Sequence, residues 1–173
     1  MQARVAVETA VAAHARDQEA AALCRVGDAE LALGRHSSAA EAFTLAHARA
    51  SEIASPYRHD ASAGLARVAL AKGDPDAAMH ALESVLTLGS NSGADDNPLE
   101  GVEFPRLVEW TCHRVLARAG DPRAAEWLAR AYAALQARAA TIADAELRQG
   151  FTCNIPVHRE IAAAWATRNA ASR

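Results

Sequence analysis

The side chains able to do chemistry are few and far apart: three cysteines, Cys24, Cys112 and Cys153, and seven scattered histidines. Cys112-His113 is the one neighbouring thiol–imidazole pair. Adjacent residues on a helix point roughly 100° apart, so the two cannot share a metal without further ligands. A buried thiol beside a partly exposed imidazole is the expected arrangement. Asp95 and Asp96 sit in a glycine- and asparagine-rich stretch, but the alternating oxygen ligands and closing glutamate of a calcium loop are missing. His158-Arg159-Glu160 has no evident nucleophile to serve and reads as polarity on a helix surface. Glycine-rich phosphate loops, His-Glu-x-x-His and Cys-x-x-Cys are absent. No catalytic, cofactor-binding or metal-binding residue is expected, and no enzyme activity.

The elements that would carry these groups are helices. Alanine tracts such as Ala20-Ala21-Ala22 and Ala162-Ala163-Ala164 dominate, while aromatic residues make up 5% of the 173. Alanine has the best helix propensity, and its small side chain lets helices approach closely. The net charge of −3 gives no electrostatic footprint for nucleic acid. Basic charge is nearly all arginine, which with the alanine excess fits a bacterial source. No apolar run reaches the ~18 residues that a bilayer span needs. The start lacks the apolar core of a secretory signal. An odd number of separated cysteines fits a reducing compartment, so the expected location is cytoplasmic.

Proline and glycine mark the junctions. Pro56, Pro75, Pro105, Pro122 and Pro156 each precede a helix-compatible stretch, as suits the first helical turn. Asp74, Asp121 and Ser55 stand where N-caps belong. Gly73 and Gly120 suit the left-handed residue that closes the helix before. Ser38 and Glu41 form a capping-box pattern downstream of Gly34. Gly73-Asp74-Pro75-Asp76-Ala77-Ala78 and Gly120-Asp121-Pro122-Arg123-Ala124-Ala125 are nearly one hexapeptide, with Gly34 to Ala39 a weaker third copy. Repeated helical hairpins that bury their faces against neighbours make a solenoid.

The run Leu23…Val26-Gly27…Gly34…Ala39…Phe43…Ala46 resembles the tetratricopeptide repeat pattern. The resemblance implies small residues at the helix crossing (Gly27, Ala39, Ala46) with Phe43 as the plug between them. Ala66, Ala78, Leu82 and Val85 correspond in the second copy. The third departs most, at His113 and Ala129. The glycines at 34, 73 and 120 are 39 and 47 residues apart, longer than the family's usual ~34, so the array is degenerate. The implied fold is all-α: a right-handed superhelix of antiparallel helical hairpins closed by a C-terminal capping helix. One domain is expected over residues 1–173. Its parts are the second helix of a truncated hairpin (1–15), hairpins at 17–54, 56–88 and 104–143, a flexible loop at 89–103 and a cap at 144–170. The 1–15 segment implies a fragment of a larger protein.

The ending carries a second resemblance. Leu147-Arg148…Phe151…Asn154-Ile155-Pro156…His158-Arg159-Glu160-Ile161 is similar to the segment closing the repeat regions of large bacterial signalling proteins, including multidomain ATPases and transcriptional regulators. Thr152 departs from the aliphatic residue common there. The segment reads as a short helix, a turn at Asn154-Ile155 and a final helix from Pro156 that lays Ile161 and Trp165 onto the array.

The family's groove, carried over by register, implies Cys24, Asp28 and Leu31 from the first hairpin. Arg67 and Leu70 follow from the second, and Trp110, Arg114 and Arg118 from the third. Trp127 and Trp165 are expected in core or cap. The arginine row favours an acidic segment or a free carboxylate, the competing reading being an ordinary solvated face. The expected function is a non-catalytic protein-interaction and regulatory scaffold, whose partner is a protein, a peptide or a neighbouring domain of the parent. The alternative is homo-oligomerisation through an open N-terminal end exposing Val5, Val7 and Val11. Neither nucleic acid nor membrane is an expected partner.

Overall fold

A computed structural model of the chain describes residues 2–91 and 99–171. Those residues are all-helical: α1 (Gln2–Ala32), α2 (His36–Glu52), α3 (Tyr57–Lys72), α4 (Pro75–Asn91), α5 (Pro105–Arg118), α6 (Ala124–Ala140), α7 (Ala145–Cys153) and α8 (Pro156–Ala171). The chain groups into two compact units, Met1–Glu103 and Phe104–Arg173. Among the described residues no helix is long and apolar enough to cross a membrane.

The helices end where local chemistry stops them. Gly34, Gly73 and Gly120 have φ of 74°, 78° and 68°, a left-handed turn without steric cost only for glycine. Each closes its helix with the same pair of hydrogen bonds. The glycine N–H donates three residues back, to Leu31, Leu70 and Ala117. The next N–H donates five back, to Glu30, Ala69 and Leu116, at 2.9 Å in all three. A fourth closure of this kind ends α2, where Ala54 takes φ 52° and the Ser55 N–H reaches the Ala50 carbonyl at 2.8 Å.

The starts follow suit. Pro75, Pro105 and Pro156 are the first residues of their helices. Asp74 accepts from the Ala77 N–H at 2.9 Å, Asp121 from the Arg123 N–H at 2.9 Å, and Ser55 from the Tyr57 N–H. Asp144, not anticipated from sequence, caps α7 through two N–H groups. The capping box at Ser38 and Glu41 does not form. α2 starts at His36 with no side-chain cap, because the left-handed turn at Gly34 lets the chain enter the helix two residues before Ser38. The break expected after Ala15 is also absent, for α1 runs unbroken over 31 residues. Nothing between Gln2 and Val26 is a glycine or proline that would stop it.

In the first unit consecutive helices pack in turn, and α1 also meets α3. Phe43 of α2 is fully buried beside Ala39 and Val68, with Leu31, Ala40 and Leu65 around them. A Cβ added at Gly27 of α1 would lie 2.7 Å from the ring, and one at Gly64 of α3 closer still. Two helices therefore press glycine faces against the same aromatic. The segment 99–103 departs from the flexible loop expected at 89–103. Gly89 to Asn91 belong to α4, Leu99 and Val102 are buried, and the Glu103 N–H donates to Asp60. Arg25 pairs with Glu103. Residues 92–98, with Asp95 and Asp96, lie outside the described residues.

In the second unit α8 packs on both α5 and α6, and α7 packs on α6 and α8. Ile161 is fully buried in a cluster with Trp110, Leu128, Ala131 and Leu135, against which Phe151, Tyr132 and Trp165 lie. Tyr132 and Trp165 stack at 4.8 Å between ring centres. The final helix thus packs against the α5–α6 pair.

Candidate functional site

The residues expected to line one groove fall into three environments. Cys24 is buried against Ala46 and Ala61, and burial, with Asp60 and Asp28 nearby, pushes its thiol up to about 12. It is a core residue. Asp28 and Arg67 are spent on each other: the guanidinium donates to the carboxylate at 2.8 Å and lies over the Phe43 ring at 5.5 Å. Leu31 packs on the Phe43 cluster, and Leu70 is half-buried. α1 and α3 touch directly, so these side chains lie largely in an interhelix contact.

Trp110 is likewise no groove residue. It is only 9% exposed, because α8 covers this part of α5, and its Nε1–H donates to Glu160 at 2.8 Å. One turn further along α5 the cover ends. Arg114 and Arg118 are exposed and form no ion pair among the described residues.

The groups with chemical potential are mostly held by packing. Cys112 is fully buried and its thiol is pushed up by burial, with Glu109 adding to the effect. Its neighbour His113 is half-exposed, stacks on Trp110 and donates Nδ1–H to the Ala124 carbonyl at 2.9 Å. Glu109, 5% exposed, accepts from Arg106 at 2.7 Å; burial still raises its pKa against the pull of that arginine. His158, expected on the helix surface, is buried instead. It donates Nδ1–H to the Phe151 carbonyl at 2.8 Å and packs on the Phe151 ring, so it ties α8 to α7. His59 is 5% exposed and its Nδ1 has no hydrogen-bond partner among the described residues. Burial, then Arg58 and His47, lowers its pKa to about 4. Among the described residues no three metal-ligating side chains converge.

Two features escaped the sequence reading. One is a groove of about 630 Å³ between α6, α7 and α8, lined among others by Arg148, Cys153 and Arg159. The other is the division of charge. Residues 1–103 hold eight basic and fifteen acidic side chains, a formal charge of −7, and residues 104–173 hold ten basic and six acidic, a charge of +4. The modest net charge hides this because the halves offset each other.

No family model, no curated protein and no solved structure matches the chain.

Proposed function

We propose that the chain is a non-catalytic protein-binding module of tetratricopeptide type, a right-handed α-solenoid that regulates a larger bacterial signalling or transcription-regulating protein. The observation that carries this reading is the fate of its reactive side chains: Cys24, Cys112, Glu109 and His158 are buried, Cys24 against Ala46 and Ala61, His158 on Phe151, and Glu109 paired with Arg106 of its own helix. Three helix closures with one hydrogen-bond pattern support the repeat character, and so does the plug of Phe43 against Gly27 and Gly64. Partner choice in such a module lies in exposed side chains on rigid helices, here Arg114 and Arg118 rather than the first-hairpin residues.

Self-association is the second reading. Arg16 pairs with Glu52 at the end of α2, so the fourteen residues from Gln2 to Ala15 carry α1 past α2 by roughly 20 Å. The Val5, Val7 and Val11 side chains proposed for that contact lie outside the described residues.

A photo-crosslinking residue in place of Arg118 tests the reading in cells that make the protein. A discrete adduct with a different protein is the expected result. An adduct of twice the chain's own mass establishes self-association instead, and the absence of any adduct overturns the binding reading for this surface.

A further inference from the structure

The motif that closes the chain divides into two sets by what its side chains do. Phe151, His158 and Ile161 are the packing set: His158 bonds and stacks on Phe151, and Ile161 is at the centre of the cluster. Arg148 and Arg159 take no part in that packing. Both are exposed, both line the groove between α6, α7 and α8, and neither has an ion-pair partner among the described residues. The Arg148 guanidinium makes a long contact of 3.4 Å to the Ala143 carbonyl.

The groove around them has a definite chemistry. Its apolar part is alanine only, Ala139, Ala145, Ala162 and Ala163, so a backbone can approach the helices closely. Gln136 and Gln149 stand along it and supply amide groups suited to main-chain N–H and C=O, while the Thr152 hydroxyl donates to the Arg148 and Gln149 carbonyls of its own helix and offers the groove an acceptor. No carboxylate lines it, and the unit to which it belongs carries a charge of +4. Its volume of about 630 Å³ is within the usual range for binding clefts. Two guanidiniums without counter-charges favour carboxylates, with which they form paired, charge-assisted bonds.

We infer that the α6–α7–α8 groove is a docking site for an acidic peptide segment of a partner protein, with Arg148 and Arg159 as its carboxylate anchors. The inference rests on the protein-binding reading and gives it a site and a partner chemistry. Alanine, amide and hydroxyl groups receive the main chain, and the arginines select aspartate or glutamate.

Cys153 supplies the readout. It is the exposed thiol of the three and lies in the groove wall, so an occupant shields it. The full chain is titrated with a capped hexapeptide of alternating aspartate and alanine while the rate of Cys153 alkylation is followed. The expected result is saturable protection of at least fivefold. It should weaken as salt rises from 50 to 500 mM, and it should be absent with the lysine-for-aspartate peptide. Arg148→Glu with Arg159→Glu should abolish protection, while Arg35→Glu with Lys72→Glu, at exposed positions of the other unit, should leave it unchanged. Both double variants replace exposed side chains, and helical circular dichroism verifies that each is folded. Lack of protection in the wild type at millimolar peptide overturns the docking site, as does protection that survives Arg148→Glu/Arg159→Glu. Either result leaves the adduct at position 118 to decide the wider binding reading separately.

Discussion

The ring of Phe43 sits where a side chain at Gly64 would have to be: a Cβ there would fall inside the van der Waals envelope of the ring carbons. The ring is fully buried, so it cannot swing aside, and Gly27 confines it from α1. The hairpin spacing of the first unit is set by this contact. Gly64→Ala should therefore destabilise the fold by about 1–3 kcal/mol, despite alanine's higher helix propensity, because overpacking outweighs it. Phe43→Ala should cost about 3–5 kcal/mol. Phe43→Leu combined with Gly64→Ala should cost less than the two single changes added together. Urea unfolding of the four variants measures this, and strict additivity would refute the contact.

Ala54→Gly should stabilise the protein. Ala54 holds φ 52° at a left-handed helix closure, the one among the described residues not occupied by glycine, where a Cβ costs roughly 1 kcal/mol. The gain expected is about 0.5–1 kcal/mol, visible as a rise in thermal midpoint. Gly73→Ala should move it by a similar amount in the opposite direction. A fall in midpoint for Ala54→Gly would show that the alanine is not strained.

Acid should weaken the fold through His59. Its pKa falls from 6.5 to about 4 on folding, so between those values the unfolded chain binds the proton and the folded one does not. Stability then rises with pH from about 4 to 6.5 and is level above. At pH 4 this group's penalty is about 2–3 kcal/mol. In His59→Leu the slope of unfolding free energy against pH over this interval should be shallower than in the wild type. Equal slopes would mean that His59 is accessible to solvent protons without unfolding.

Thiol titration should distinguish the three cysteines. Cys153 is exposed and should react with a disulfide reagent within seconds to minutes. Cys24, with its thiol pushed up to about 12, and the fully buried Cys112 should stay silent until denaturant is added. One equivalent before unfolding and three after is the expected count. Two or more equivalents in the folded state would place one of the buried thiols at the surface.

What could be read from the sequence was what is local in the chain. Gly34, Gly73 and Gly120 close helices, and Pro75, Pro105 and Pro156 open them, because one residue's own dihedral or missing N–H decides it. Phe43 was expected as a plug only through the resemblance to the repeat pattern, which implies a large residue among the small ones at a helix crossing. Gly64 was not singled out, because its role exists only against a ring 21 positions earlier. The break after Ala15 followed from the expected repeat register, and the uninterrupted helix-forming stretch around it prevailed.

The site was less legible, because side-chain partners are non-local. Arg67 read as a free arginine until Asp28, 39 residues earlier, took its charge. Trp110 read as an interface aromatic until Glu160, 50 residues later, took its N–H. Arg148 and Arg159 belong to a motif whose order along the chain says nothing of which members turn inward. Their groove appears only once α7 and α8 lie against α6.

The alanine-built core has a thermodynamic consequence. Thirteen of the thirty buried apolar residues described are alanine, so unfolding uncovers less hydrocarbon than in a leucine-rich core of equal size. Apolar hydration dominates the heat-capacity increment of unfolding. That increment should fall below the usual ~12–15 cal/mol/K per residue, giving a broad, flat stability curve that changes little on cooling.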